Sequence, residues 1–291
     1  MQSVQIQLTT KCNERCFMCR KYTWPHKEIP ITILIDRLNK YHEANFTFSG
    51  GDPLEYSELR KLTEVLVSMG IKYQVFTNMN YHLSPDMIKF LDNAEYIQVS
   101  LDGSCPEFYE YVRRPVVNGF NIVAENIKRY REKVKANCTV SIRNFFDVPE
   151  IYLLAKNELR VPIRFFPVHT HDSAGIDKEA FNAMVDKCRI LGEQLPKEII
   201  SLCNIYLNGR PKFNSCWVKT EHRLIDEMGR EYPCCRAIND NGEDWDGKYS
   251  VEKLCDLNDE SKLYPFCAGC DRYVKFNINK EEYKGKVGQY L

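Results

Sequence analysis

The chain has 291 residues, enough for one barrel-sized domain and a smaller one. Its 40 basic and 40 acidic side chains give a formal net charge of zero, which removes the electrostatic case for gripping long nucleic acid. No apolar run approaches membrane-spanning length and no secretory signal precedes the first cysteine. Thirteen cysteines, an odd number in clustered spacings, then point to metal ligands in a reducing, cytoplasmic setting rather than to a disulfide framework.

The first expected strand, 4–8, reads Val4-Gln5-Ile6-Gln7-Leu8. Directly after it come Cys12, Cys16 and Cys19 in TTKCNERCFMCRK, a CxxxCxxC spacing. Three thiolates on one loop are one short of closing a cubane iron–sulfur cluster and leave one iron open for chemistry. A zinc site lacking its fourth ligand is the plainer alternative. A helix over 31–42 and a strand over 45–49 follow, the strand ending in the turn Ser49-Gly50-Gly51-Asp52-Pro53. Next are a helix over 57–69, a strand over 72–77, a helix over 84–93 and a strand over 96–101 that closes on Ser100-Leu101-Asp102-Gly103. A helix over 119–134, strand 137–142, helix 149–158, strand 162–167 and helix 177–194 complete six βα units, with Pro30, Ser57, Ser84 and Pro149 at helix starts. This alternation predicts an α/β fold with a parallel sheet. The basic run Lys128–Lys135 reads as an exposed helix face. Asn45-Phe46-Thr47 and Asn137-Cys138-Thr139 match the glycosylation pattern but fall within expected strands, so they are read as chance.

Strand parity separates two faces. Val4, Ile6 and Leu8 oppose Gln5 and Gln7; Ile97, Val99 and Leu101 oppose Gln98, Ser100 and Asp102; Val140 and Ile142 oppose Thr139, Ser141 and Arg143. The apolar face is expected under the helices. The polar face is expected to line a lumen that holds a polar ligand or water, because parallel strands are covered on both sides.

Toward the C-terminus, Cys216 is followed by twelve residues, Gly229, four residues and Cys234; Cys267 and Cys270 stand in CAGC. The stretch from Leu224 to Tyr232 reads as a β-hairpin turning at Gly229. Four thiolates suit structural zinc as well as an iron–sulfur cluster. Cys105, Cys138, Cys188, Cys203 and Cys255 have no such spacing and are expected as small buried hydrophobes.

The cysteine triplet after the first strand, the Gly50-Gly51-Asp52-Pro53 turn and Ser100-Leu101-Asp102-Gly103, in that order, resemble the radical SAM superfamily over the first two-thirds of the chain. The resemblance implies a partial (β/α)6 TIM-like barrel over 1–200. It also implies that Cys12, Cys16 and Cys19 hold a 4Fe–4S cluster and that S-adenosylmethionine binds the free iron. Met18 stands where the family usually has an aromatic residue beside the adenine. Gly50 and Gly51 would approach the cofactor's amino group with backbone, and Asp52 replaces a more usual glutamate. Ser100, Asp102, Ser141 and Arg143 are candidates for its ribose, amino or carboxylate groups. The CxₙGx₄C…CxxC pattern is similar to the twitch domain, a short form of the SPASM domain built from a β-hairpin and a helix. It implies a second domain over 201–291 with an auxiliary 4Fe–4S cluster on Cys216, Cys234, Cys267 and Cys270.

Arg164 suits a substrate phosphate or carboxylate, His169 a proton transfer, and Tyr22 stands just past the first cluster loop. Trp24, His26 and His171 are further candidates nearby. The resemblance implies an enzyme that removes a hydrogen atom from a polar substrate, with oxidation, bond formation or rearrangement as the outcome. Only eleven residues precede Cys12, which favours a sugar, a nucleoside, an amino-acid-like molecule or a modified DNA base. A peptide substrate is the alternative, as is a non-catalytic iron–sulfur or zinc protein. Flavodoxin or ferredoxin is the electron donor such chemistry implies.

Overall fold

The computed structural model describes residues 2–19, 25–115, 118–167 and 222–233, with 183, 184 and 186. Tyr22, Trp24, His169, His171 and the four cysteines expected to hold the auxiliary cluster lie outside the described residues, as does most of the helix expected over 177–194. The described residues form an α/β fold in two compact units. Among the described residues, no helix is long and apolar enough to cross a membrane.

The first unit comprises 2–10, 25–73 and 222–233. Its strands β1 (Ser3–Thr9) and β2 (Asn45–Gly50) pair in parallel from Ser3 opposite Asn45, with an irregularity between Gln7 and Thr9 that sets Thr9 against Gly50. Val4, Ile6 and Leu8 are fully buried, as the alternation requires. On the opposite parity Gln5 donates to Ser49 Oγ at 2.9 Å, so the polar face binds itself across strands. Helices α1 (Ile31–Lys40) and α2 (Leu59–Ser68) bury Ile31, Leu34 and Leu38 and Leu59, Leu62 and Leu66, the 3- and 4-residue spacing of one helical face. Pro30 caps α1 as expected, whereas α2 begins two residues after Ser57, with Glu58 at its cap.

The expected hairpin is present. The strands His222–Ile225 and Glu231–Tyr232, β7 and β8 in chain order, pair antiparallel around Gly229, whose φ is +77°. β7 pairs in parallel with β1, Ser3 opposite His222 through Ile6 opposite Ile225, so the hairpin shares a compact unit with the N-terminal strands.

The second unit comprises 11–19, 74–115 and 118–167, with 183, 184 and 186. Its strands β3 (Tyr73–Thr77), β4 (Tyr96–Ser100), β5 (Val134–Val140) and β6 (Ile163–Pro167) are all parallel and adjacent in that order. Helices α3 (Pro85–Asn93), α4 (Pro106–Arg113), α5 (Gly119–Arg129) and α6 (Val148–Leu153) connect them, and α6 runs into a π-helical turn, Leu154–Leu159. Ser84 caps α3 by accepting from Met87 N–H at 3.3 Å, and Pro149 sits in the first turn of α6. Ile97, Val99, Val134, Ala136, Cys138 and Val140 are buried. Facing the other way, Gln98 donates to Gln74 at 3.2 Å and accepts from Asn137 at 2.9 Å, a polar ladder across three strands.

Three expectations are corrected. α4 was not anticipated, because its aromatic and β-branched run Phe108–Val112 reads poorly as a helix. α5 ends at Arg129 and β5 starts at Val134, so the Lys128–Lys135 run is not one helix face; Lys135 lies on β5 with its ammonium 3.9 Å from the Tyr96 ring. β5 ends at Val140, so Ser141, Ile142 and Arg143 lie in the turn beyond it, and Ile142 is 40% exposed rather than buried. Cys138 is buried as expected, but Cys105 is half-buried at the cap of α4.

Candidate functional site

The cysteine loop belongs to the second unit and is fastened by its backbone to the end of α4. Arg15 N–H donates to Arg114 O at 3.4 Å and Phe17 N–H to Val112 O at 3.0 Å. These are carbonyls that a helix leaves unpaired at its C-terminus, and α4 stops there because Arg114 takes the left-handed conformation. Cys19 N–H closes a turn onto Cys16 O at 3.0 Å. Cys16 is buried, whereas Cys12 and Cys19 are half-buried.

Glu14, between the first two cysteines, is the hub of the loop. Its fully buried carboxylate accepts from Arg113 Nε at 2.8 Å and Tyr109 Oη at 2.9 Å, with Arg113 Nη2 at 2.5 Å and Cys16 Sγ at 3.6 Å. Arg113 reaches with Nη1 to Asp102 at 2.8 Å. The other Asp102 oxygen accepts from Thr139 N–H at 2.6 Å. Gly103 makes this possible, since a Cβ there would overlap the backbone of Tyr109 in α4. Burial pushes the Cys16 thiol well above its ordinary range, against the pull of Arg113. Burial alone would lower the Arg113 guanidinium, but the charges of Cys16, Glu14 and Asp102 outweigh it and raise it. Tyr109 is pushed upward, first by burial and then by Glu14, and stays a hydroxyl donor.

A second fastening comes from the segment after β3. Asn78 Nδ2 donates to Asn13 Oδ1 at 2.7 Å and lies 3.5 Å from Cys12 Sγ; Asn13 Nδ2 donates in return to Asn80 O at 2.6 Å. Met79, between the asparagines, is fully buried with φ +57°, and its carbonyl accepts from Asn126 at 2.9 Å. Cys12 Sγ also accepts from Glu14 N–H at 3.4 Å.

The donor chemistry fits an iron–sulfur cluster. Three thiols lie on one loop, and one sulfur already receives two N–H groups, the kind of bond that tunes such clusters. The thiols are not drawn together here: among the described residues, no group of three or more His, Cys, Asp or Glu side chains stands at metal-binding distance.

The remaining expected residues sort by their surroundings. In the first unit, Gly50 has φ +147°, and a Cβ there would overlap Thr9 O; Gly51 N–H donates to that carbonyl at 2.6 Å. Asp52 is buried and caps the 3₁₀ turn Pro53–Glu55 by accepting from Leu54 N–H at 3.0 Å. In the second unit, Ser100 closes β4, half-buried, opposite Asn137 in register. Asp102 and Ser141 are fully buried, and Ser141 Oγ lies 3.1 Å from Asn144 Oδ1. Asn144 also donates to the carbonyls of Asp102 and Thr139 at 3.1 and 3.0 Å, tying the ends of β4 and β5 together. Arg143 stacks its guanidinium on Phe17 of the cysteine loop at 3.9 Å and on Tyr111 at 4.8 Å. Met18 is half-buried in the loop. Arg164 lies half-buried on β6, opposite Asn137. His26 is exposed.

Glu14, Asn78, Asn80, Arg113 and Asn144 were not singled out from the sequence. Asn78-Met79-Asn80 directly after a strand was a usable signal, two amides at a strand's C-terminal end. Arg113 carried no local signal, because its partners are 99 and 11 positions away.

Residues 6–150 match the family model described as Radical SAM superfamily. A curated relative, described as a probable GTP 3',8-cyclase of Methanocaldococcus jannaschii, is 26% identical over 167 residues. That match covers 52% of this chain and 54% of the relative, so it spans about half the relative's length. Among solved structures, anSMEcpe with bound AdoMet is 17% identical with a TM-score of 0.63, covering 98% of this chain and 85% of that one. SuiB of Streptococcus suis bound to its precursor peptide SuiA is 15% identical with a TM-score of 0.63, covering 96% and 73%. At such identities the likeness is one of fold: parallel strands and helices consistent with the partial TIM barrel of radical SAM enzymes.

Proposed function

We propose that this chain, whose residues 6–150 form a radical SAM superfamily domain, is an enzyme that uses S-adenosylmethionine and a 4Fe–4S cluster to abstract a hydrogen atom from a polar substrate. The carrying observation is the cysteine loop itself: Cys12, Cys16 and Cys19 held against α4 and Asn78 by hydrogen bonds, with N–H groups on Cys12 Sγ. When bound, a cluster on three thiolates supplies an open iron for the cofactor and the electron that cleaves it to a hydrogen-abstracting radical. The chain's own residues position and shield. Cys12, Cys16 and Cys19 would ligate the cluster. Burial of Cys16 keeps water from that thiol, and the Arg143–Phe17 stack covers the loop between the second and third ligands. Gly50 and Gly51 leave backbone without side chain at the end of β2, and Ser100 at the end of β4 and Arg143 beyond β5 are candidates for the cofactor's polar groups. Asp102 reads better as a brace, since both its carboxylate oxygens are engaged within the protein.

A polar substrate is favoured by the ladder Gln74–Gln98–Asn137, which makes the inner parity of β3 to β5 hydrogen-bonding rather than greasy; Asn137 Oδ1 is buried without a partner. Arg164 in the next strand suits an acidic group on that substrate. The auxiliary cluster on Cys216, Cys234, Cys267 and Cys270, with an electron-transfer role, and the acid–base and contact roles of His169 and Tyr22 belong to this proposal. A sugar, a nucleoside, an amino-acid-like molecule or a modified DNA base is the first reading of the substrate and a peptide the second.

The test is 5'-deoxyadenosine release by anaerobically reconstituted protein with S-adenosylmethionine and a reductant. It is run alone and with small-molecule, nucleic-acid and peptide fractions. Stimulation by one fraction names the substrate class. Cys16→Ala is expected to abolish release to background. Iron-loaded protein that releases nothing would sink the enzyme reading and leave a binding protein.

A further inference from the structure

We infer that the C-terminal end of α4, with Arg113 at its centre, is a docking platform that shapes the cysteine loop before any metal arrives. The inference rests on the reading of Cys12, Cys16 and Cys19 as cluster ligands, and it assigns Arg113 and Glu14 the role of positioning residues. A loop that must gather three thiolates loses conformational entropy, and whatever is lost before loading does not oppose metal binding. Here the ordering comes from two kinds of contact made by the same helix end.

The first is backbone. Val112 O and Arg114 O belong to the set a helix cannot pair internally, and Phe17 and Arg15 N–H groups take them. The second is the buried chain Glu14–Arg113–Asp102. Arg113 is 8% exposed; one edge of its guanidinium holds the loop through Glu14 and the other holds the end of β4 through Asp102. A planar fork with donors on several edges can bridge two carboxylates in this way, whereas an ammonium offers a single point. Tyr109 adds a third bond to Glu14 from the previous turn of α4. Glu14 lies two residues from both Cys12 and Cys16, so fixing its side chain fixes the backbone between them. Cys16 then sits buried with its sulfur 3.6 Å from Glu14 Oε2.

The readout is hydrogen exchange of the full-length metal-free protein, which needs neither cluster nor substrate. Amides of residues 15 and 17 are expected to be protected in the wild type. Glu14→Gln keeps the shape and leaves the Arg113–Asp102 pair intact, so the fold should survive. Exchange over 13–19 should rise about tenfold and more than that of peptides from β4 and β5, and the melting temperature should fall, because Arg113 loses one of its two buried carboxylates. Arg113→Lys should raise exchange over the same loop, because the ammonium cannot hold both carboxylates. After reconstitution, both variants should load iron more slowly and show a larger share of three-iron signal by electron paramagnetic resonance. Free exchange of the loop in the wild type, or variants whose loop exchanges like the wild type, would overturn the platform. A protected loop in a wild type that binds no iron would keep the platform and refute the cluster reading.

Discussion

Gly50 shows how one residue can be fixed by the backbone around it. Its φ of +147° lies where side chains are strained, and a Cβ would meet the Thr9 carbonyl that also accepts from Gly51. Gly50→Ala is expected to destabilise the protein by roughly 2 kcal/mol or more, the order of a strained non-glycine backbone with an added overlap. A urea melt reads this as a lower midpoint at unchanged slope. Glycine-rich turns are conspicuous in a sequence, so this position was legible. Arg113 was not, because an arginine in a run of aromatic and basic residues looks like surface. Its burial is bought by carboxylates on two other segments, Glu14 and Asp102, and a linear pattern cannot display such partners.

Among elements, the β7–β8 hairpin shows electrostatic fastening. Glu231 accepts from Arg37 at 2.5 Å, Lys40 at 2.7 Å and Tyr41 at 2.6 Å, all at the end of α1, and Arg37 also donates to Gly229 O at 2.8 Å. Burial alone would raise the Glu231 carboxyl, but bonds from Lys40 and Tyr41 and the charge of Arg37 hold it below its ordinary value. A depressed carboxyl stabilises the fold above the unfolded-state value, about 4.3, and that stabilisation is lost as pH falls through the lower folded-state value. Glu231→Gln should therefore cost on the order of 1–3 kcal/mol near neutrality, and the gap to the wild type should close in acid. Thermal melts at pH 7 and in steps below pH ~4 would show it; a gap independent of pH would mean that shape rather than charge holds the hairpin. The hairpin's turn was readable from Gly229, while the carboxylate's partners, some 190 positions earlier, were not.

For the whole molecule, β7 joins the first unit by pairing with β1. Leu224, Ile225 and Tyr232 are each fully buried there, worth roughly 1.5–3 kcal/mol apiece. A chain ending at residue 209 would lose all three and expose an edge of β1, the central strand of that unit. It is expected to melt well below the full chain or to aggregate, which scattering during a thermal ramp would record. A truncated chain with an unchanged melt would show that the hairpin is an independent module.

Local patterns along the chain were enough for the alternating strands and helices, the parity of their faces and the position of the cysteine loop. These are local properties: a period of two or of 3.6, a capping serine, a glycine that must turn. Those patterns misjudged the end of β5 by placing Ser141 and Arg143 on the strand, since β-branched runs do not announce where pairing with a neighbour stops. Tertiary structure alone decided that Asp102 braces α4, that Asn78 and Glu14 hold the cysteine loop, and that residues 222–232 complete the sheet around β1. Each of these depends on a hydrogen-bonding group meeting a partner far along the chain. Burial makes such a meeting obligatory, but only the assembled fold chooses which group answers it.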